Sequence, residues 1–324
     1  MKLPELKIGN LIARIPIIQG GMSIRISGGR LAGAVAATGA VGVIGASGLE
    51  HDELAQEIRK ARKLAKGGII GINILYAASD FLGIVNTAVR EKIDFITSGA
   101  GFSRDLFKIG KESKIPIVPI VSSGKLAKIA VSLGAAAIVA ESKEAGGHLG
   151  SLEKGTEELF KEVKAAVTTV PVIAAGGMAD GKAIAKMLNM GADGVQLATR
   201  FILAEECDAA KEYKEVHAST TDPNNVVIIK SPVGMPGRAI RTKLTDAMVK
   251  GQYPEIPYCD DCLKVCSKQY CIFDVLKKAQ KGDMEGGLVF SGESVTKIKD
   301  KVIRPVAEII NQLVKEAEAC YVGA

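Results

Sequence analysis

Between residues 15 and 201 the chain alternates short, continuously apolar runs with longer stretches in which Lys, Glu and Ala recur at helical spacing. Eight runs fit this pattern, at 15–19, 41–45, 69–75, 95–98, 117–122, 136–141, 172–175 and 194–199, most of them meeting Gly, Ser or Asn at or near their ends. Helices are expected between them, for example at 52–65, 103–112, 156–168 and 180–190. Runs without apolar/polar alternation belong to strands buried on both faces, and parallel neighbours need crossover helices. Eight such units predict an α/β fold, a closed (β/α)8 TIM barrel; a doubly wound open sheet is the alternative. After residue 201 the repeat stops. Residues 207–290 read as an irregular cap insertion after strand 8. The chain then ends in a C-terminal helix over 294–318, with Val302, Val306, Ile309, Ile310 and Leu313 on one buried face. The expected organisation is a barrel (1–206), a cap with a Cys cluster (207–290) and a C-terminal helical segment (291–324).

Composition sharpens this picture. Among 324 residues, 47% are hydrophobic but only 4% aromatic, Trp is absent and Gly numbers 36. That suits a Val/Ile/Leu/Ala core with many close backbone contacts. A net charge of +6 without a long basic tract argues against nucleic acid and leaves room for acidic or phosphorylated small partners. The first ten residues, MKLPELKIGN, lack an apolar segment of the signal-peptide kind, and the longest uncharged stretch, Leu31 to Leu49, is interrupted by glycines and reads as a helix followed by a strand. A cytoplasmic protein with no membrane segment is therefore expected.

The candidate chemistry gathers at strand exits, where barrels of this type carry their sites. Three glycine corners fall there: Gly20-Gly21, Gly146-Gly147 and Gly176-Gly177. The second leads into His148, a side chain that titrates near neutral pH. Gly176-Gly177 after strand 7 and Ala198-Thr199 after strand 8 are placed to bind a phosphate through backbone N–H groups. Asn73 is a polar residue at the end of an apolar strand, suited to a ring amide or to capping a turn. His51 and His217 read as surface residues.

Taken in order, IPIIQGGM, GINIL, the 141–148 corner, AAGGM followed by Asp180-Gly181, and GVQLATRF resemble the nitronate monooxygenase family, which includes the 2-nitropropane dioxygenases and the enoyl-acyl-carrier-protein reductase II enzymes. The resemblance implies an FMN-dependent oxidoreductase. Gly21 and Met22 would line the reactive edge of the flavin ring, Asn73 its pyrimidine ring, and Glu141, Gly146 and Gly147 the ring and ribityl chain. Gly176, Gly177, Ala198 and Thr199 would hold the phosphate, with Gln196 close by. Many relatives have Gly-Thr where this chain has Ala198-Thr199, a change that preserves backbone N–H contacts. His148 would be the acid/base group over the flavin. The substrate implied by the resemblance would be a nitronate or nitroalkane; the alternatives are an enoyl or acyl thioester, carried on acyl carrier protein or CoA. No Rossmann glycine signature is present, so any NAD(P)H would dock transiently. Relatives suggest a homodimer.

Four of six cysteines form C-x2-C-x3-C-x4-C: Cys259, Cys262, Cys266 and Cys271. So compact a run favours an iron–sulfur centre over zinc. KSPVGMPGRAIRT, CIFDVL and GLVFSG resemble a branch of the family that carries FMN and a 4Fe-4S cluster, although that branch spaces its last cysteine further away. Lys230, Arg238, Arg241, Lys243 and Lys250 add a basic excess, expected at the barrel mouth. Two other readings stay open: a non-catalytic redox-sensing flavin or cluster protein, and a zinc-bearing phosphosugar isomerase.

Overall fold

In the computed structural model, which describes residues 1–323, the eight apolar runs are the eight strands of one parallel sheet. They span Ile17–Gln19, Gly42–Gly45, Ile70–Leu75, Phe95–Gly99, Ile117–Val121, Ile138–Glu141, Val172–Ala175 and Gly194–Leu197, each paired with its sequence neighbour. The last pairs with the first, and Ile18 bridges Val41, so the sheet closes into the expected barrel. Gln19, fully buried, reinforces that seam: its side-chain amide donates to Val43 O at 3.1 Å and accepts from Val43 N at 3.1 Å. Crossover helices such as His51–Leu64, Arg104–Ser113, Thr156–Ala166 and Gly181–Asn189 follow the strands, the second capped by Ser103 and the last by Asp180.

Two apolar layers result. One lies between strands and helices. The other fills the barrel with Ile18, Val41, Val43, Phe95, Val118, Val139 and Ile173. A hairpin of Leu6–Ile8 and Leu11–Ala13, not anticipated from the sequence, inserts Leu6, Ile8 and Ala13 into this inner layer from below.

Two expectations change. The terminal helix runs over Val306–Cys320, not from 294; Pro305 precedes it, Glu293–Thr296 is a separate 3-10 turn, and Val302 is 60% exposed. Proline has no N–H for the helix ladder and disfavours helical backbone at the residue before it, so the helix starts after it. It packs against Gly181–Asn189: a Cβ on Gly181 would lie 2.4 Å from Leu313 O. The helix thereby takes the outer position an eighth crossover helix would fill.

The cap is also more ordered than its composition suggests. Strands Val226–Lys230 and Pro236–Ile240 pair antiparallel, and the second pairs with the two-residue strand Gly147–His148. Helices Lys243–Val249 and Ile272–Gln280 pack around Ile229, Tyr270, Val275 and Leu288, while helix Lys211–Ser219 places Tyr213 in the layer between strands and helices. Among the described residues no helix is long and apolar enough to cross a membrane.

Candidate active site

A cavity of about 240 Å³ opens at the C-terminal ends of the strands, beneath the cap. Its wall includes Gly21, Met22, Asn73, Glu141, Gly146, Gly147, His148, Gly176, Gly177, Gln196, Ala198 and Thr199, which brings the expected barrel residues to one place. Beyond these it includes Glu144, Tyr213, Leu263, Ile272, Phe273, Leu276, Leu288, Phe290 and the turn Ser291, Gly292, Ser294. The cap residues were missed because nothing in their local pattern ties them to a strand exit.

Backbone approach sets the barrel side. Gly20 N donates to Leu197 O at 2.8 Å, drawing the first corner onto the eighth strand. Asn73 Nδ2 donates to Gly21 O at 3.3 Å, while Asn73 Oδ1 is buried without a partner in the protein. A buried acceptor left open costs free energy until a donor arrives, and a ring N–H is such a donor.

The two glycines before His148 do different work. A Cβ on Gly146 would sit 2.4 Å from Gly292 N, so a side chain there would push the turn away; Gly147 has φ +74° and open space, the nearest atom being on Phe290 at 3.7 Å. Only Gly147 is there for its left-handed backbone. Arg238, placed at the mouth by the sequence reading, is instead buried beside this corner. Its Nε donates to Ala145 O at 3.1 Å and Nη2 to Lys143 O at 2.6 Å, and it pairs with Glu293 at 2.9 Å. A guanidinium taken from water needs such partners, and it finds them here. Arg241 and Lys243 are at the surface, paired with Asp246 and Glu285.

Thr199 Oγ1 accepts from Gly292 N at 3.0 Å, so the cap closes the strand 8 corner. Gly176 and Gly177 have φ of +105° and +69°, a left-handed backbone that strains any side chain, and the Glu144 side chain lies against Gly177.

Burial tunes two titratable groups. Enclosure by protein lifts the Glu141 carboxyl to about 7 and lowers the His148 imidazole to about 4, since both lose water that would solvate the charged form. His148 is therefore neutral near pH 7. Its Nε2 lies 2.8 Å from Ser231 Oγ, and the Phe290 ring meets it edge-on at 5.1 Å.

His51 is exposed as expected, joining Asp80 and Thr87. His217, expected at the surface, is only 1% exposed. One turn after Tyr213, its ring lies tilted by 34° against that ring at 4.8 Å, with Tyr213 O and Phe290 O at its nitrogens, a cap contact invisible in the local sequence.

Cys259, Cys262, Cys266 and Cys271 are free thiols on one cap segment. Leu263 bridges Ala78 and Cys262 O accepts from Ser79 N at 3.1 Å, which docks the segment on the loop after strand 3. Burial, helped by Cys271, Cys266 and Cys259, pushes the Cys262 thiol up to about 11. Among the described residues no three His, Cys, Asp or Glu side chains form a group able to hold a metal ion. Cys259 is exposed, and Cys271 sits at the N-cap of Ile272–Gln280. The expected cluster ligands share a segment but do not converge.

The fold and the cavity define a class: a (β/α)8 barrel whose strand exits form a glycine-lined cradle under a cap. The nitronate monooxygenase family description matches residues 5–91 and 78–316. The chain belongs to that family. It is 32% identical over 238 residues to the (3aS,4S,5R,7aS)-5-hydroxy-7a-methyl-1-oxo-octahydro-1H-indene-4-carboxyl-CoA dehydrogenase of Mycobacterium tuberculosis, a match covering 73% of this chain and 66% of that protein. The corresponding Rhodococcus jostii protein is 30% identical, with 64% of its length covered. A probable nitronate monooxygenase of Staphylococcus aureus is 25% identical over 350 residues, covering 93% of this chain and 95% of that one. Among solved structures, FabK from Thermotoga maritima has TM-score 0.81 and 31% identity, covering 94% of this chain and 93% of that chain.

Proposed function

We propose that the protein is an FMN-dependent oxidoreductase of the nitronate monooxygenase type, with His148 as its acid/base group. The observation that carries this reading is the placement of an unpartnered acceptor, Asn73 Oδ1, and a neutral imidazole, His148, on the wall of one glycine-lined cavity. The residues suit a flavin mononucleotide: Asn73 offers its open acceptor to the ring, and the corners at Gly176-Gly177 and Ala198-Thr199 offer backbone to a phosphate. When bound, the flavin would supply the two-electron exchange with substrate. The chain's own work is to exclude water with the cap, hold the substrate against the ring, and accept a proton at His148. His148→Ala should keep flavin binding and lose about 10²–10⁴ in turnover with the true substrate. Full turnover with flavin bound would overturn the role.

A nitronate or nitroalkane is the first substrate reading. An acyl thioester is the second, favoured by the apolar cap wall of Leu263, Ile272, Phe273, Leu276 and Leu288, which exceeds what a small nitronate needs, and by the CoA dehydrogenase relatives. Assays with propionate 3-nitronate plus oxygen, and with enoyl or acyl thioesters plus NAD(P)H, separate them. A nicotinamide donor, an acyl carrier protein partner, a homodimer and a cytoplasmic setting belong to the same proposal, supported by the family resemblance. The cysteine spacing supports an iron–sulfur centre over zinc, and nothing in the chemistry above depends on it. Iron and zinc analysis after anaerobic purification tests it: zinc without iron, or neither, rules the cluster out.

A further inference from the structure

We propose that Glu141 holds the cofactor as a neutral carboxylic acid, so that flavin binding takes up a proton at this side chain. The inference rests on the cavity being a flavin cradle and adds the form in which Glu141 meets the cofactor.

Strand geometry places the carboxyl. Along Ile138–Glu141 the side chains alternate: Val139 belongs to the layer inside the barrel and Ala140 to the layer against the helices, so Glu141 shares the inner face with Val139. It is the last residue of its strand and pairs in register with Ala175, another inner residue, which puts it at the mouth above Val139 and Ile173. The side chain is half-buried and lines the cavity. No ion pair or hydrogen bond of the protein reaches its carboxyl, and its oxygens are not among the buried atoms left without a partner, so they open onto the cavity.

The charge of the wall decides what that carboxyl can do. Among the described residues the wall carries two acidic side chains, Glu141 and Glu144, and no Lys or Arg. Glu144 is already engaged: its Oε1 accepts from Thr156 N at 3.1 Å, and Lys297 Nζ lies 3.6 Å from its Oε2. His148 and Tyr213, the other titratable groups of the wall, are kept neutral near pH 7 by burial. The strands on either side, Ile117–Val121 and Val172–Ala175, hold no titratable residue. Glu141 therefore has neither a cation nor a bonded donor to stabilise its charge, and that task falls to water. A flat ring laid across the mouth displaces water, and a carboxylate stripped of water without a partner costs more than one that has taken a proton. Even with the cavity open, burial lifts this carboxyl to about 7. The neutral form supplies an O–H donor to an acceptor of the cofactor, the complement of the acceptor that Asn73 Oδ1 offers from the third strand.

Titration calorimetry of the flavin-stripped full chain with FMN, run at pH 8 in two buffers of different ionisation enthalpy, counts the protons taken up. The expected count is about one, and the dissociation constant should rise about tenfold for each pH unit between about 7 and 9. The sign follows from the raised carboxyl: affinity is complete below its free value near 7 and is lost as pH climbs above it. The FMN phosphate, with a second pKa of about 6, is ionised throughout this range and His148 is neutral, so neither supplies the proton change. Glu141→Gln mimics the neutral acid permanently; it should take up no proton, bind FMN with an affinity independent of pH, and exceed the wild type about tenfold at pH 8. Glu141→Ala should be equally flat and weaker than Glu141→Gln at every pH. A wild type that binds FMN with no proton uptake at pH 8, or a Glu141→Gln variant that keeps the wild-type slope, overturns the proposal, and the wild-type count decides even if the variants fail to fold. A wild type that binds no FMN at any pH removes the flavin reading itself, and the proposal with it.

Discussion

The barrel rim and the cap build opposite sides of one cavity from different materials. The rim contributes backbone, glycine corners and a few polar groups such as Asn73, Glu141 and Gln196, all held by the parallel sheet. The cap contributes apolar side chains, Leu263, Ile272, Phe273 and Leu288, and behind the wall Ser231 Oγ lies 2.8 Å from His148 Nε2. A rim of backbone can fix one rigid ligand with little tolerance for change. A wall of side chains can be recut to suit different substrates while the rim keeps its cofactor. The two regions meet at Gly146, Arg238 and Gly292, and the seam is where a change should damage both.

Gly146→Ala gives the largest expected effect. Its Cβ would meet the Gly292 backbone at 2.4 Å, so cap and corner must separate, with a loss of about 3 kcal/mol in thermal or denaturant unfolding and loss of flavin. Gly147→Ala, in open space, should cost about 1 kcal/mol of left-handed backbone strain. Equal losses would break the distinction between the two glycines.

Glu141→Gln tests the rim by its pH signature. The folded carboxyl titrates at about 7 against 4.5 when free, so below pH 4.5 both states hold the proton and burial costs nothing. As pH rises from 4.5 to 7 the unfolded chain ionises first and stability falls, by at most about 3 kcal/mol. The variant should therefore match the wild type at pH 4 and exceed it at pH 8 without flavin; a gain at both would deny the shift. His148 has the reverse sign. Its folded pKa near 4 means that stability is lost as pH falls from 6.5 toward 4, a loss His148→Gln should remove.

Asn73→Leu should separate cofactor binding from stability. Removing the acceptor for the ring should weaken flavin by about 2 kcal/mol, while the flavin-free protein, relieved of an unpaired buried oxygen, should be no less stable. Leu263→Ala should act on the cap alone. About 1 kcal/mol of discrimination between long and short acyl substrates should disappear, with flavin affinity unchanged.

The same division explains what the sequence made readable. Each barrel strand announces itself within five or six residues, and each glycine corner follows its own strand, so Gly21, Asn73, His148, Gly177 and Thr199 could be placed at one rim from local pattern and the barrel rule. The cap carries no such period. Ser231 reaches His148 from 83 residues away, Arg238 supports Lys143 and Ala145 from more than 90, and His217 is buried by Phe290 from 73. These contacts come from tertiary packing, and a polar residue between two apolar ones reads the same whether it faces water or a buried ring. The N-terminal hairpin escaped because three-residue strands are too short to show alternation. The late start of the terminal helix was legible in Pro305, whose veto outweighs the apolar spacing that includes Val302.

The central claim is that the rim holds a flavin mononucleotide against His148. Denaturing the purified protein and recording the visible spectrum and mass of what is released tests it most directly. The account predicts about one FMN per chain, released on unfolding and rebound by the refolded or flavin-stripped protein, with weaker rebinding by Asn73→Leu. A colourless protein that releases no flavin and takes up none when FMN is supplied would contradict it.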